Sequence, residues 1–165
     1  MNRDNDMKTM ADRIREMNPA ALEIIIKLAH DQLRMKQTPE PLRIDKDCWI
    51  YYKDTRLEFS PLARAVYLLF LRHPEGIAQK DIQDYRNELV KLYHHVSVFG
   101  TTDRMDAVID RLTEHSNNNL NTLLYRIRKV VHRQIPGMLA NLYDITGRAG
   151  EKKKILLDRR YVTWE

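Results

Sequence analysis

The stretch 115–135, HSNNNLNTLLYRIRKVVHRQI, limits the possible folds more than any other part of this chain, because it carries four Lys or Arg and no Asp or Glu. At about 100° per residue, Leu120, Leu123, Leu124, Ile127, Val130, Val131 and Ile135 fall on one side of a helix. Asn121, Thr122, Tyr125, Arg128, Lys129 and His132 fall on the other, flanked by Arg126 and Arg133. The spacing predicts a helix with one face in a core and the opposite face a basic, hydrogen-bonding ridge. The Asn run 117–119 suits a helix start, and Pro136-Gly137 ends it.

The charge distribution agrees. The net charge of the 165 residues is +5, yet residues 1–114 sum to −1 and residues 115–165, with ten Lys or Arg against four Asp or Glu, sum to +6. Such an asymmetry implies an anionic partner, nucleic acid first and a membrane surface second, with a solvated basic face as the plain alternative. A chain of this length typically folds as one domain and can bury roughly 70% of its unfolded surface. The single cysteine, Cys48, excludes an internal disulfide and a Cys-rich zinc site. No signal peptide is readable in the first twenty residues, and the apolar run AVYLLFL at 65–71 is too short to span a bilayer, so a cytoplasmic protein is expected.

Along the chain, residues 9–16 have a weak helical spacing at Met10, Ile14 and Met17. Asn18-Pro19 then opens a stronger amphipathic helix to about Lys36, with Leu22, Ile25, Ile26, Ala29 and Leu33 in one stripe. Pro39 and Pro41 break it, which predicts a helical arm and Pro-containing linker over 1–41 and a main domain over 42–165. The stripe of the arm either packs back on that domain or forms a homodimer with a second copy. Residues 49–59 read as a hairpin turning at Lys53-Asp54, and Cys48 as a small core residue in its first strand. Ser60-Pro61 starts a buried helix that ends at 73–76; a second helix covers 79–95 and a third 102–113. After the basic helix, residues 143–146 and 154–157 form a hairpin around Gly147-Arg148-Ala149-Gly150, with 161–164 as a third strand.

These elements, LEFSPLARAVYLLFLRHPEG at 57–76, NNLNTLLYRIRKVV at 118–131 and YDITGRAGEKKKILL through YVTW, resemble the winged helix-turn-helix, and more narrowly the OmpR/PhoB-type effector domains of bacterial response regulators. In sequence detail the chain is similar to small bacterial winged-helix proteins. The match runs over roughly 48–165. It implies an α+β fold, mainly α with short β-hairpins, preceded by the helical arm. It also implies a DNA-binding transcriptional regulator that sets the 118–134 helix in the major groove of double-stranded DNA and the 147–154 wing on the backbone. Asn118, Asn121, Thr122, Tyr125 and Arg126 are then the groove residues, since Asn matches adenine edges and Arg grips guanine. Arg128, Lys129, Arg133, Arg148, Lys152, Lys153 and Lys154 are the phosphate contacts.

The chain departs from that pattern in two places. Residues 1–41 are too few for a receiver domain, so phosphorelay control is not implied and Asp45 and Asp47 are not phospho-acceptors. One hairpin stands where the family has a multistranded sheet, and a whole helix, 102–113, is inserted before the basic one. The rival to DNA binding is a winged-helix interaction module that docks an acidic protein partner. It is favoured if acidic side chains from 79–114 break the positive surface. An enzyme is not expected. His94-His95 point about 100° apart on a helix, and the sequence has no HExxH pair, no Gly-rich phosphate loop and no Gly-x-Ser-x-Gly elbow. No metal and no cofactor are expected.

Overall fold

The computed structural model describes residues 10–36, 38–98, 100–114 and 118–165, with the backbone alone at 33–36. The Leu33 side chain, Thr9, Gln37 and residues 115–117, to which the sequence pattern assigns part of the arm's stripe, the ends of predicted elements and the first of the Asn run, lie outside the described residues. Two compact units divide between Thr38 and Pro39. In the first, residues 10–15 are helical and α1 spans Pro19–Lys36. Asn18 Oδ1 accepts the Ala21 amide at 2.9 Å, so Asn caps and Pro takes the first turn, as their chemistry favours.

The second unit is α+β and is organised on α2, Pro61–Arg72, whose residues 63–71 are all buried. Ser60 caps it through Oγ, with Pro61 in the first turn. Before it come β1, Leu42–Ile44, β2, Ile50–Tyr52, and β3, Thr55–Arg56; after it come β4, Ile77–Ala78, and a 3-10 helix, Gln79–Tyr85. Helices α3, Arg86–Val96, α4, Thr102–Thr113, and α5, Asn119–Gln134, follow. The chain ends with α6, Ala140–Tyr143, β5, Ile145–Thr146, β6, Lys152–Ile155, and β7, Val162–Trp164. A four-stranded sheet has the order β3-β2-β1-β7, and a three-stranded sheet the order β4-β6-β5.

Several local expectations need correction. The last strand does not extend the tail hairpin: β7 runs parallel to β1, with Leu42 opposite Val162 and Ile44 opposite Trp164. Arg159 is the cause. Its guanidinium donates to the carbonyls of Leu71 at 2.7 Å, Phe70 at 3.0 Å and Leu157 at 2.6 Å, which pins the chain to the C-terminal end of α2 and sends the last residues to the open edge of β1. The sheet flanking α2 is therefore multistranded, where the sequence pattern shows one hairpin. Tyr143 ends a helical turn instead of opening a strand, and Leu156 and Leu157 lie beyond β6.

Cys48 is not in a strand. It follows a turn in which Asp45 Oδ1 accepts the amides of Asp47 and Trp49 at 3.0 and 2.8 Å, and it takes φ +59°. The helix expected over 79–95 begins as 3-10. With three residues per turn, Tyr85 stacks on the same side as Ile82, where its ring meets His73 edge-on at 4.7 Å. Helix α4 packs against both α3 and α5. Arg86–Asp110 at 2.5 Å and His94–Asp106 at 3.0 Å tie its acidic side to α3.

Hydrogen bonds of two buried tyrosines join these parts. Tyr67 of α2 donates to the Tyr143 carbonyl at 2.6 Å, and Tyr143 donates to the Glu40 carbonyl at 2.6 Å while its ring meets Tyr52 edge-on at 5.4 Å. Burial pushes both phenols well above their ordinary range, so they act as permanent donors. Tyr67→Phe leaves a buried carbonyl unpaired and is expected to lower the unfolding free energy in urea by about 1–3 kcal/mol. Tyr125→Phe, at an exposed position, leaves it unchanged. Equal urea midpoints for the two variants would refute this role for Tyr67.

Candidate functional site

Helix α5 has the two faces its periodicity predicts. Leu120, Leu123, Leu124, Ile127, Val131 and Ile135 are buried, and Val130 is half-buried. Asn121, Thr122, Tyr125, Arg126, Arg128, Lys129, His132 and Arg133 are exposed. At its start, Asn118 does not cap with its side chain. Its Oδ1 accepts Asn121 Nδ2 at 2.9 Å and its carbonyl accepts Thr122 Oγ1 at 3.1 Å, which joins the three residues in one polar cluster on the first turn. One turn further along, Lys129 Nζ lies 4.9 Å from the Tyr125 ring centre, and that ring is 58% exposed. At the far end, Gln134 bridges to the loop after β3, accepting the Glu58 amide and donating to the Arg56 carbonyl, and Arg133 approaches Glu58 at 3.5 Å.

The hairpin β5–β6 projects beside α5. It lies close against the chain before β4: a Cβ on Gly76, at φ +81°, would come within 2.8 Å of the Lys153 carbonyl, so only glycine fits there. Period-two alternation along β6 exposes Lys152 and Lys154 and turns Lys153 toward α5, half-buried, with Nζ 3.4 Å from the Gly147 carbonyl. Arg148 is exposed in the hairpin loop. Every residue predicted as a contact thus lies on α5, at its N-terminal boundary (Asn118) or on this hairpin, and Lys153 alone is half-buried.

Two concave surfaces flank the ridge of α5. Between α5 and the hairpin lies a cleft of about 360 Å³ lined by Asn121, Tyr125, Arg128, Thr146, Gly147 and Lys153 among others. Between α5 and the inserted helix α4 lies a groove of about 240 Å³ with Arg111 and Arg126 in its wall. Neither lining contains an Asp or Glu. Arg111 is absent from the predicted set, although its position three residues after Val108 marks it as flanking the apolar stripe of α4.

Asp144 is also absent from that set. Its carboxylate is 1% exposed at the root of the hairpin, 3.4 Å from Arg128 Nε and 3.4 Å from His132 Nε2. Burial raises its carboxyl above the ordinary value, against the lowering pull of Arg128 and His132. Arg128, 59% exposed, is therefore partnered in the free protein, as is Arg133, whereas Arg126, Arg148 and Lys154 have no carboxylate partner among the described residues and Lys152 acts on the Glu75 carboxylate without a close ion pair.

Among the described residues no group of His, Cys, Asp and Glu is placed to hold a metal ion, and no helix is long and apolar enough to cross a membrane. The chain matches no protein-family model, no curated protein and no solved structure. The chemistry of α5 and the hairpin is what carries a functional reading.

A raised folded-state carboxyl means that the folded chain binds a proton at Asp144 more readily than the unfolded chain does. The ionised form then costs stability above the folded-state pKa, and that cost disappears as pH falls through it. Asp144→Asn frees Arg128 and His132 toward water without leaving a buried charge behind. It is expected to melt higher than the parent at neutral pH, with the difference closing on acidification. A constant difference across pH 4–8 in circular-dichroism melts contradicts the assignment.

Proposed function

We propose that this chain is a winged-helix protein that binds double-stranded DNA as a transcriptional regulator, with α5 in the major groove and the β5–β6 hairpin as the wing on the backbone. The observation that carries the reading is the acid-free ridge of α5 set beside the hairpin, with carboxylate-free linings on both flanks. The element order supports it. Helix α2, strand β4, the α3–α5 helices and the β5–β6 hairpin, joined as the sheet β4-β6-β5, follow one another in the order that the winged-helix reading expects.

The division of labour follows from side-chain chemistry. The Asn118, Asn121 and Thr122 cluster offers paired donors and acceptors suited to base edges, with Tyr125 and Arg126 next along the helix. Lys129, Arg148, Lys152 and Lys154 form no close ion pair among the described residues and serve as phosphate contacts. Asp106 and Asp110 of the inserted helix, which would speak for an acidic protein partner if they broke the positive surface, are paired toward α3 with His94 and Arg86.

Fluorescence anisotropy on random duplex DNA at low salt tests the reading. Binding tighter than about 100 μM is expected, with log K falling against log salt at a slope of roughly −3.6 if all four phosphate contacts form. Arg126→Ala and Lys129→Ala are each expected to weaken binding several-fold while leaving the melting temperature within about 1 °C, as for exposed positions. Absence of binding in that range sinks the proposal.

A further inference from the structure

The groove between α4 and α5 has a different chemistry from the rest of the positive surface. Leu62, Val108, Leu112 and Leu123 line it together with the polar Asn119 and Thr122 and the cations Arg111 and Arg126. Elsewhere in this unit most arginines are committed: Arg43 to Glu165, Arg72 to Glu88, Arg86 to Asp110, Arg128 to Asp144 and Arg160 to Asp158. Arg56 and Arg64 lie over Trp49, and Arg159 holds backbone carbonyls. Arg111 and Arg126 have no carboxylate and no ring partner among the described residues, and they line one groove beside four apolar side chains. Two unmatched cations beside apolar side chains call for a ligand that carries a negative head and a hydrocarbon body.

Size decides what kind of ligand. The groove, about 240 Å³, lies below the 300–1,000 Å³ of drug-sized sites, and a macromolecular partner needs an interface near 1,000 Å² or more. We propose that the groove binds a small amphipathic carboxylate of about ten to twelve non-hydrogen atoms, its head on Arg111 and Arg126 and its tail on Leu112 and Leu123. The first part of this inference stands on the groove alone. The second rests on the DNA reading above: Arg126 belongs to both surfaces, so a bound carboxylate withdraws it from DNA and lowers DNA affinity. By reciprocity DNA lowers carboxylate affinity by the same factor. The inserted helix then has a purpose, since it supplies Val108, Arg111 and Leu112 and turns the flank of α5 into an effector site.

The probe is 4-phenylbutyrate, with its uncharged isostere 4-phenylbutyramide as control, titrated into the full chain carrying labelled Leu and Val methyl groups and followed by NMR. Saturable shifts are expected at the methyls of Val108, Leu112 and Leu123, with a dissociation constant of roughly 0.05–1 mM for a ligand of this size. The amide is expected to bind at least tenfold more weakly. Arg111→Ala, at an exposed residue, is expected to lose at least tenfold in carboxylate affinity with an unchanged melting temperature. Absence of saturation by about 10 mM, ten times the weak end of that range, overturns the site, and so does equal binding of acid and amide or indifference to Arg111→Ala. A second arm repeats the duplex anisotropy with saturating 4-phenylbutyrate, where a several-fold loss of DNA affinity is expected. Carboxylate binding with unaltered DNA affinity overturns the coupling and leaves the DNA reading standing. Carboxylate binding in a protein that never binds DNA overturns the DNA reading and the coupling, and leaves the groove standing.

Discussion

Everything in the second unit hangs from the relay Tyr67–Tyr143–Glu40. Both phenols are bonded to backbone carbonyls, at 2.6 Å each, so the relay is independent of side-chain charge and is not screened by salt. It fixes three things at once: the central helix α2, the short helix α6 that follows α5, and the place where the chain enters the unit. Residue 144 is next in the chain, so the same relay sets the root of the hairpin relative to α5. A slip there would move β5, and with it the alternation that turns Lys153 inward and Lys152 and Lys154 outward.

The charge asymmetry of the sequence becomes a surface because of which cations find partners. The body contains many arginines, but carboxylates, carbonyls and rings occupy most of them. Arg64, 2% exposed, shows how far this goes: it lies 3.5 Å from the centre of the Trp49 ring and donates to the Val96 carbonyl at 2.5 Å. Desolvation lowers its pKa, yet a guanidinium stays protonated; the indole face and that carbonyl replace part of the lost water, while its Nε and Nη1 are buried without a hydrogen-bond partner among the described residues. Of the ten cations in the last third, eight stand on α5 and the hairpin, and Arg159 and Arg160 lie beyond β6.

What was legible in the sequence is what depends on near neighbours. The 3.6 period around Leu120, Ile127 and Val131 places α5 and both of its faces, Ser60-Pro61 places α2, and Gly147 and Gly150 place the hairpin loop. The parts that escaped depend on groups far apart in the chain. Strand β7 pairs with β1 because Arg159 reaches the carbonyls of Phe70 and Leu71, 89 and 88 residues away, and no local pattern in Val162-Thr163-Trp164 encodes that. Strand β4 is two residues long and exists because β6 bonds to it. Arg111 joins the groove only because α4 packs on α5, and its own helix shows no more than a cation beside an apolar stripe.

Arg128 illustrates why residue type and exposure do not by themselves assign a role on such a surface. It stands on the outward face of α5, beside the cleft to the hairpin, and its side chain is 59% exposed, the profile of a phosphate contact. Its guanidinium nevertheless lies 3.4 Å from a carboxylate that has almost no water of its own. Asp144 cannot leave the root of the hairpin, so its ionised form depends on Arg128 and His132 for compensation. A phosphate approaching the cleft would draw Arg128 outward and leave Asp144 less compensated, which favours proton uptake there. Arg128 therefore serves the geometry of helix and hairpin first, and any pull from an anion in the cleft is transmitted to the hairpin root through the same ion pair. Among the described residues, Arg126, Arg148 and Lys154 are free of that obligation, whereas Lys152 also acts on the Glu75 carboxylate.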